Sequence, residues 1–415
     1  MNSQKQSLII GCFFFCFFVN AKTIEVCSSC ENNDVKKAIE NAQSFDTVFI
    51  KVGIYPVENI KIDKPITIIG ERGATLDGKV KNEIFTIKSD RVSIINMTLQ
   101  NSGRSNLKDL AAIHIEKGKN FIIKNNFIYD NYFGIIVNKG QGGVIENNVV
   151  RGYGGEHEFS IGNAIHLWYC KDIIIKNNEV SFHRDGIYFE FVDNTVIEAN
   201  NSHHNIRYGL HFMFSNHDEY SRNTFTNNGA GVAVMFSKFI KMYYNKFEYN
   251  WGASSYGLLL KEINDSEIKH NIFFENTTGI QTEGANRISY VENTFEKNGF
   301  AMRVRGASIE NKIIRNNFIS NTFDMAFNGR FESNVIDSNY WSEYTGYDLD
   351  RDGVGDIPFH PVKLFSFITG EVPESIVLIR SLFVDLLNYS EKVAPVITPK
   401  EVADPKPSMT KIQWK

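Results

Sequence analysis

The chain has 415 residues, with 44 Lys and Arg against 48 Asp and Glu and 42% hydrophobic residues, enough for one large domain or two ordinary ones. A net charge of −4 gives no polybasic footprint for nucleic acid, and a mean hydropathy of −0.24 excludes a polytopic membrane protein. The 44 Asn and 33 Phe beside 9 Pro are too Asn-rich for an ordinary enzyme and too apolar for disorder, and point to a repeat.

Lys5 precedes an apolar run from Leu8 to Val19, followed by Val19-Asn20-Ala21. A charged start, a short apolar stretch and an Ala stop fit a secretory signal over residues 1–21 better than a membrane span, which needs about twenty apolar residues. The rival is lipoprotein processing before Cys12, where Ile9-Ile10-Gly11-Cys12 loosely matches a lipobox. Either way the expectation is an exported protein with no later membrane span. Cys27-Ser-Ser-Cys30 in an oxidising compartment reads most simply as a local disulfide, with a soft-metal pair as the alternative. Asn33–Ala42 has an acid near its start and apolar residues at helical spacing, which predicts a short helix capping the open end of the repeat.

Beyond that helix a unit of about twenty-two residues recurs, marked by Asn125, Asn147, Asn177, Asn200, Asn223, Asn245, Asn271, Asn293, Asn316 and Asn339. Each unit reads apolar strand, Asn turn, aromatic strand, second Asn turn, Gly, apolar strand. Units this short bury an apolar face only by stacking, so residues 22–360 are expected to form an all-β solenoid. Asn suits the left-handed corners and offers amides for a coil-to-coil ladder. Excursions at Gly152–Gly162 and Trp251–Tyr256 lengthen two units and are candidates for site walls or partner contacts. After the repeat, residues 361–415 read as a partner-contact region: an amphipathic helix over Pro373–Tyr389 and an extended tail over Ala394–Lys415.

Aligning the strands after the Gly turns gives Ile165-His166-Leu167-Trp168, Ile187-Tyr188-Phe189-Glu190, Leu210-His211-Phe212-Met213 and Val232-Ala233-Val234-Met235. Strand alternation sends the all-apolar first and third columns to the core. The outward columns then carry His166, Tyr188, His211 and Ala233, flanked by Trp168, Glu190, Met213 and Met235. Imidazole and thioether are ligands for Cu(I), so His166, Glu190, His211, Met213 and Met235 form a candidate copper stripe. The neighbouring turns add His183, His203, His204 and His217. Set against this, Met213 and Met235 could simply pack beneath a covering loop. A different chemistry is also open: Glu190 with Tyr188 and His211 could abstract a sugar proton, as in a β-helix polysaccharide lyase or epimerase. Nearer the C-terminus, Asp348, Asp350, Asp352 and Asp356 alternate around Gly353 in a calcium-like loop, although Phe359 stands where the last acidic ligand is expected.

The run Gly162–Trp168, with Arg184–Phe191, Arg207–Phe214, Asn228–Met235 and Asp63–Gly70, resembles the NosD family, periplasmic maturation proteins of nitrous oxide reductase. The resemblance spans roughly residues 33–360, and the His, Glu and Met strands are its specific part. It implies a right-handed parallel β-helix that performs no covalent chemistry and docks on an ABC transporter permease with its ATPase. A membrane-anchored copper chaperone would supply Cu(I) for the copper–sulfide centre of nitrous oxide reductase. The Cys27/Cys30 pair is not part of the resemblance, and Val402–Pro407 only approximates the family's closing motif.

Overall fold

The computed structural model describes residues 21–105, 107–154, 160–329, 333–379, 381–393 and 402–414. The expected signal segment lies almost wholly outside the described residues, as do the middle of the Gly152–Gly162 excursion and residues 394–401 of the tail. The described chain is a three-sheet parallel β-solenoid, with sheets of 14, 12 and 13 strands whose order follows the coils. Neighbouring coils pair in parallel throughout, as where Ile187, Tyr188, Phe189 and Glu190 meet Leu210, His211, Phe212 and Met213. The interior is one continuous apolar column, with Phe225, Phe247, Phe273, Phe295, Phe318 and Trp341 stacked at centroid spacings of 4.1–5.5 Å.

The asparagine ladder is present, in a register that corrects part of the sequence alignment. Its members are Asn126, Asn148, Asn178, Asn200, Asn223, Asn245, Asn271, Asn293, Asn316 and Asn339, each Nδ2 donating to the next Oδ1 at 2.9–3.0 Å. For the first three coils the ladder therefore runs through the residue after the one aligned. Asn125, Asn147 and Asn177 instead hold the left-handed corner, with φ of 53–56°. In later coils that corner belongs to Ala199, Arg222, Tyr244, His270, Glu292, Arg315 and Ser338, while the ladder position stays Asn. The repeat thus demands Asn for its amide rather than for its backbone freedom. Each Nδ2 also reaches a carbonyl of a neighbouring coil, such as Ile197 for Asn223 at 2.8 Å, so the buried amides are fully paired.

Both ends of the solenoid are covered. Helix α1 (Val35–Asn41) starts where the Asp34 side chain accepts from Lys37 N, and it buries Val35, Ala38 and Ile39 against the first coils. Cys27 and Cys30 form a disulfide beside it. At the far end Asp404, fully buried, accepts from Ser338 N, Asn339 N, Asn339 Nδ2 and Trp341 Nε1 at 2.9–3.1 Å. The tail is therefore no free extension: from Val402 onward it docks on the last coil, and Ser408 N donates to Asn339 O at 2.8 Å. The single helix expected over Pro373–Tyr389 is corrected as well. The structure has α2 (Leu364–Glu371), a 3-10 segment at Pro373–Leu378 and α3 (Leu382–Val393). A proline disfavours helical backbone at the preceding residue, and Val372 sits at φ −129°, ψ 85°.

Candidate functional site

The 12-stranded sheet carries the stripe. Ile165, Leu167, Ile187, Phe189, Leu210, Phe212, Val232 and Val234 are all fully buried, so the intervening side chains face outward. In one column His166, Tyr188, His211 and Ala233 are register partners, and in the next Trp168, Glu190, Met213 and Met235. Glycine makes the close stacking possible: a Cβ on Gly209 would lie 2.8 Å from the Gly231 carbonyl oxygen.

The rings form a continuous row of tilted and edge-on contacts, with centroids 4.7 Å apart for His166–Tyr188, 5.2 Å for Tyr188–His211 and 4.8 Å for Tyr208–His211. Neither ring nitrogen of the buried His211 has a hydrogen-bond partner among the described residues. Burial lowers the His211 pKa to about 4, so the imidazole is neutral at pH 7. His166 is also pushed down to about 4 by burial, but its situation differs. Its Nδ1 lies 3.3 Å from Asn163 Nδ2, while Asn163 Oδ1 accepts from Arg184. That chain engages His166 Nδ1 with the Asn163 amide. Tyr188 lies 3.4 Å from Glu190, and burial first, then the Glu190 charge, raises its pKa to about 12.

Met213 and Met235 are half-buried neighbours on adjacent coils. Met235 packs against Ala230, Ala233, Tyr256 and Leu259, so the Trp251–Tyr256 excursion does reach over this end of the stripe. The donor set of a neutral unpartnered imidazole beside two thioethers fits a soft monovalent cation.

The additional histidines do not join the stripe. His183 is fully buried with Nδ1 3.2 Å from Gly162 O. His203 and His204 lie at the end of a 13-stranded-sheet strand, their Nδ1 atoms 2.8 Å apart, and His217 stacks on Phe239 in the turn toward the 14-stranded sheet. In the acidic loop, ligand atoms of Asp348, Asp350 and Asp352 lie within 4.8 Å of one another. Asp356 is not in that group; it accepts from Leu349 N at 2.8 Å. Asp348 caps the turn by accepting from Arg351 N and Gly353 N at 2.6 and 2.9 Å.

Three features escape the sequence patterns considered above. The first is an ion pair at the start of the stripe strands, where Nε and Nη2 of the half-buried Arg207 meet the buried Asp185 carboxylate at 2.9 and 2.6 Å. The second is His114, in the His166 column two coils earlier, with Nδ1 2.6 Å from Glu83 and Nε2 3.0 Å from Asn138. Its signal is the pattern Ile113-His114-Ile115-Glu116, which repeats the alternation of the stripe strands. The third is an exposed ridge of Tyr169, Phe191, Phe214 and Phe236, each at a left-handed corner, stacked at 4.5–5.2 Å beside the methionine column.

A three-sheet parallel β-helix with a histidine–thioether face defines the class of protein. A family model described as periplasmic copper-binding protein (NosD) matches residues 153–346. A probable ABC transporter binding protein NosD of Pseudomonas aeruginosa is 28% identical over 378 residues, covering 85% of each chain. Over these residues the chain is similar to the NosD family. Among solved structures, the A-module of the Azotobacter vinelandii mannuronan C-5 epimerase AlgE6 aligns with a TM-score of 0.52 at 14% identity, covering 72% of this chain and 95% of that one. The Streptococcus pneumoniae surface adhesin PfbA gives 0.52 at 12% identity, covering 74% and 89%. An epimerase and an adhesin on one scaffold show a shared fold and leave function to the site.

Proposed function

We propose that the protein is a periplasmic accessory subunit that receives Cu(I), hands it on with an ABC transporter, and serves assembly of the copper–sulfide centre of nitrous oxide reductase, with copper, sulfur or both as cargo. The observation that carries this reading is His211, a buried neutral imidazole with neither nitrogen partnered among the described residues, on the same strand as Met213 and one coil from Met235. Leaving a buried polar group unpaired costs about 1–3 kcal/mol, and a metal–imidazole bond would offset it. Glu190 and His166 flank that centre. The family's description as copper-binding and the relative's name support copper and an ABC transporter as partners.

Two surfaces support docking. The aromatic ridge beside the methionines would seat a membrane-anchored copper chaperone. At the far end Val377, Leu382, Phe383, Leu386 and Tyr389 expose 56–84% of their surface, suiting a permease contact. No helix among the described residues is long and apolar enough to cross a membrane. The Asp348–Asp352 loop would take a structural Ca²⁺, which relieves the repulsion by which Asp352 raises the Asp350 pKa.

The test is a Cu(I) titration against a competing chelator, beside a His211→Ala/Met213→Ala/Met235→Ala variant. Tight binding by the parent and its loss in the variant is expected; equal, negligible binding by both would remove these ligands from the reading. The Tyr188–Glu190 contact near Arg184 and Arg207 favours a second reading, a lyase or epimerase acting on acidic sugars. Product analysis on acidic polysaccharides with Glu190→Gln as control decides it, and inactivity on all of them counts against it.

A further inference from the structure

A separate cleft of about 250 Å³ opens where residues 253–256, the strands bearing Gln281 and Arg303, and α2 converge. Arg303 and Arg305 alternate onto one face of the strand Phe300–Arg305. Arg303 is half-buried, with its guanidinium 5.0 Å from the Phe300 ring centroid. Among the described residues neither arginine has a carboxylate within ion-pair distance. Burial, then the charge of Arg305, lowers the Arg303 pKa. Across the cleft Ser255 is 3% exposed, and its hydroxyl has no hydrogen-bond partner among the described residues. Thr278, 3% exposed, and Gln281 complete a polar wall.

A half-buried guanidinium beside an exposed one, in a cleft also lined by an unsatisfied hydroxyl, forms an arrangement that an anion would complete. A guanidinium offers an oxyanion two parallel N–H donors, and the serine adds a single O–H. We infer that this cleft binds a small oxyanion of the sulfate or phosphate class, held by Arg303 with Arg305 and Ser255. The site goes beyond the copper reading and does not depend on it. It joins the stripe through Tyr256, which lines the cleft and packs with Met235.

Isothermal titration of the full chain with sodium sulfate, inorganic phosphate and acetate, at matched ionic strength in chloride, tests the site. Saturable binding of sulfate or phosphate is expected, weakened roughly tenfold in Arg303→Gln and less in Ser255→Ala. Absence of saturable binding by the parent chain, or unchanged binding in Arg303→Gln, overturns the inference. Acetate binding tighter than both inorganic ions overturns the assignment to the sulfate or phosphate class. Circular dichroism checks that each variant folds; should Arg303→Gln fail, Arg305→Gln and Ser255→Ala carry the same comparison.

Discussion

Asp404 stands one step beyond Asn339 in the ladder: Asn339 N and Nδ2 donate to Asp404 Oδ2 at 2.9 and 3.0 Å. This repeats the contact each ladder asparagine makes with the next, as when Asn316 N and Nδ2 donate to Asn339 Oδ1 at 2.8 and 3.0 Å. A carboxylate ends the series because it accepts without needing to donate onward. It also takes the Trp341 indole N–H, which a ladder amide has no spare acceptor for.

Asp404→Ala should therefore unfold the last coil first. It strands three buried donors, and the expected loss is about 3 kcal/mol or more. Asp404→Asn should fall between, since its amide presents a donor to groups that are themselves donors. Urea melts followed by far-UV circular dichroism rank the three proteins; equal midpoints would refute the capping role.

The corrected register makes a paired forecast. Asn223→Ala removes an amide engaged on both sides of the ladder and should cost about 2–4 kcal/mol. Asn177→Ala touches only a left-handed corner and should cost about 1 kcal/mol. Reversed magnitudes in thermal melts would place the ladder at Asn177 instead.

Asp185 is fully buried with its carboxylate held by Arg207. Removing Arg207 leaves the buried Asp185 carboxylate only the longer 3.9 Å contact with Arg184, so Arg207→Gln should destabilise by about 1–3 kcal/mol. The double variant Asp185→Asn/Arg207→Gln should recover part of that. A double-mutant cycle by chemical denaturation measures the recovery, and strict additivity would deny the coupling.

Three desolvated imidazoles, His166, His183 and His211, contribute to the pH dependence of stability, and the two in the stripe can be tested apart from His183. His166 and His211 have folded pKa values lowered to about 4 from 6.5, so the unfolded chain binds more protons between those limits. Their contribution to stability is fully present above pH 6.5 and is lost as pH falls toward 4. His166→Gln/His211→Gln should show a shallower decline over that window in melts at stepped pH. Cu(I) affinity at His211 should hold down to about pH 5, where a solvated histidine site would already have weakened. A tenfold loss between pH 7 and pH 6 would contradict a buried neutral ligand.

Much of this was legible in the chain itself. Strand alternation is a period of two, so the apolar columns Ile165/Leu167 through Val232/Val234 fix which side chains point outward without any coordinates. Stacking of short units likewise follows from the spacing alone. Tandem Asn pairs such as Asn125-Asn126 hid the ladder position, because either residue satisfies the pattern and only the closed coil distinguishes corner from amide. Asp185 with Arg207, Glu83 with His114, and Asn339 with Asp404 are separated by 22, 31 and 65 residues. Such pairings depend on where distant segments are brought, and local periodicity carries no record of that. The sequence by itself determined the solenoid and its exterior columns, since both are properties of a local repeat. Tertiary structure alone decided that His211 is buried without a hydrogen-bond partner among the described residues, that His166 Nδ1 meets Asn163, and that the tail ends the ladder, because each depends on what neighbouring coils and the returning chain place against a given side chain.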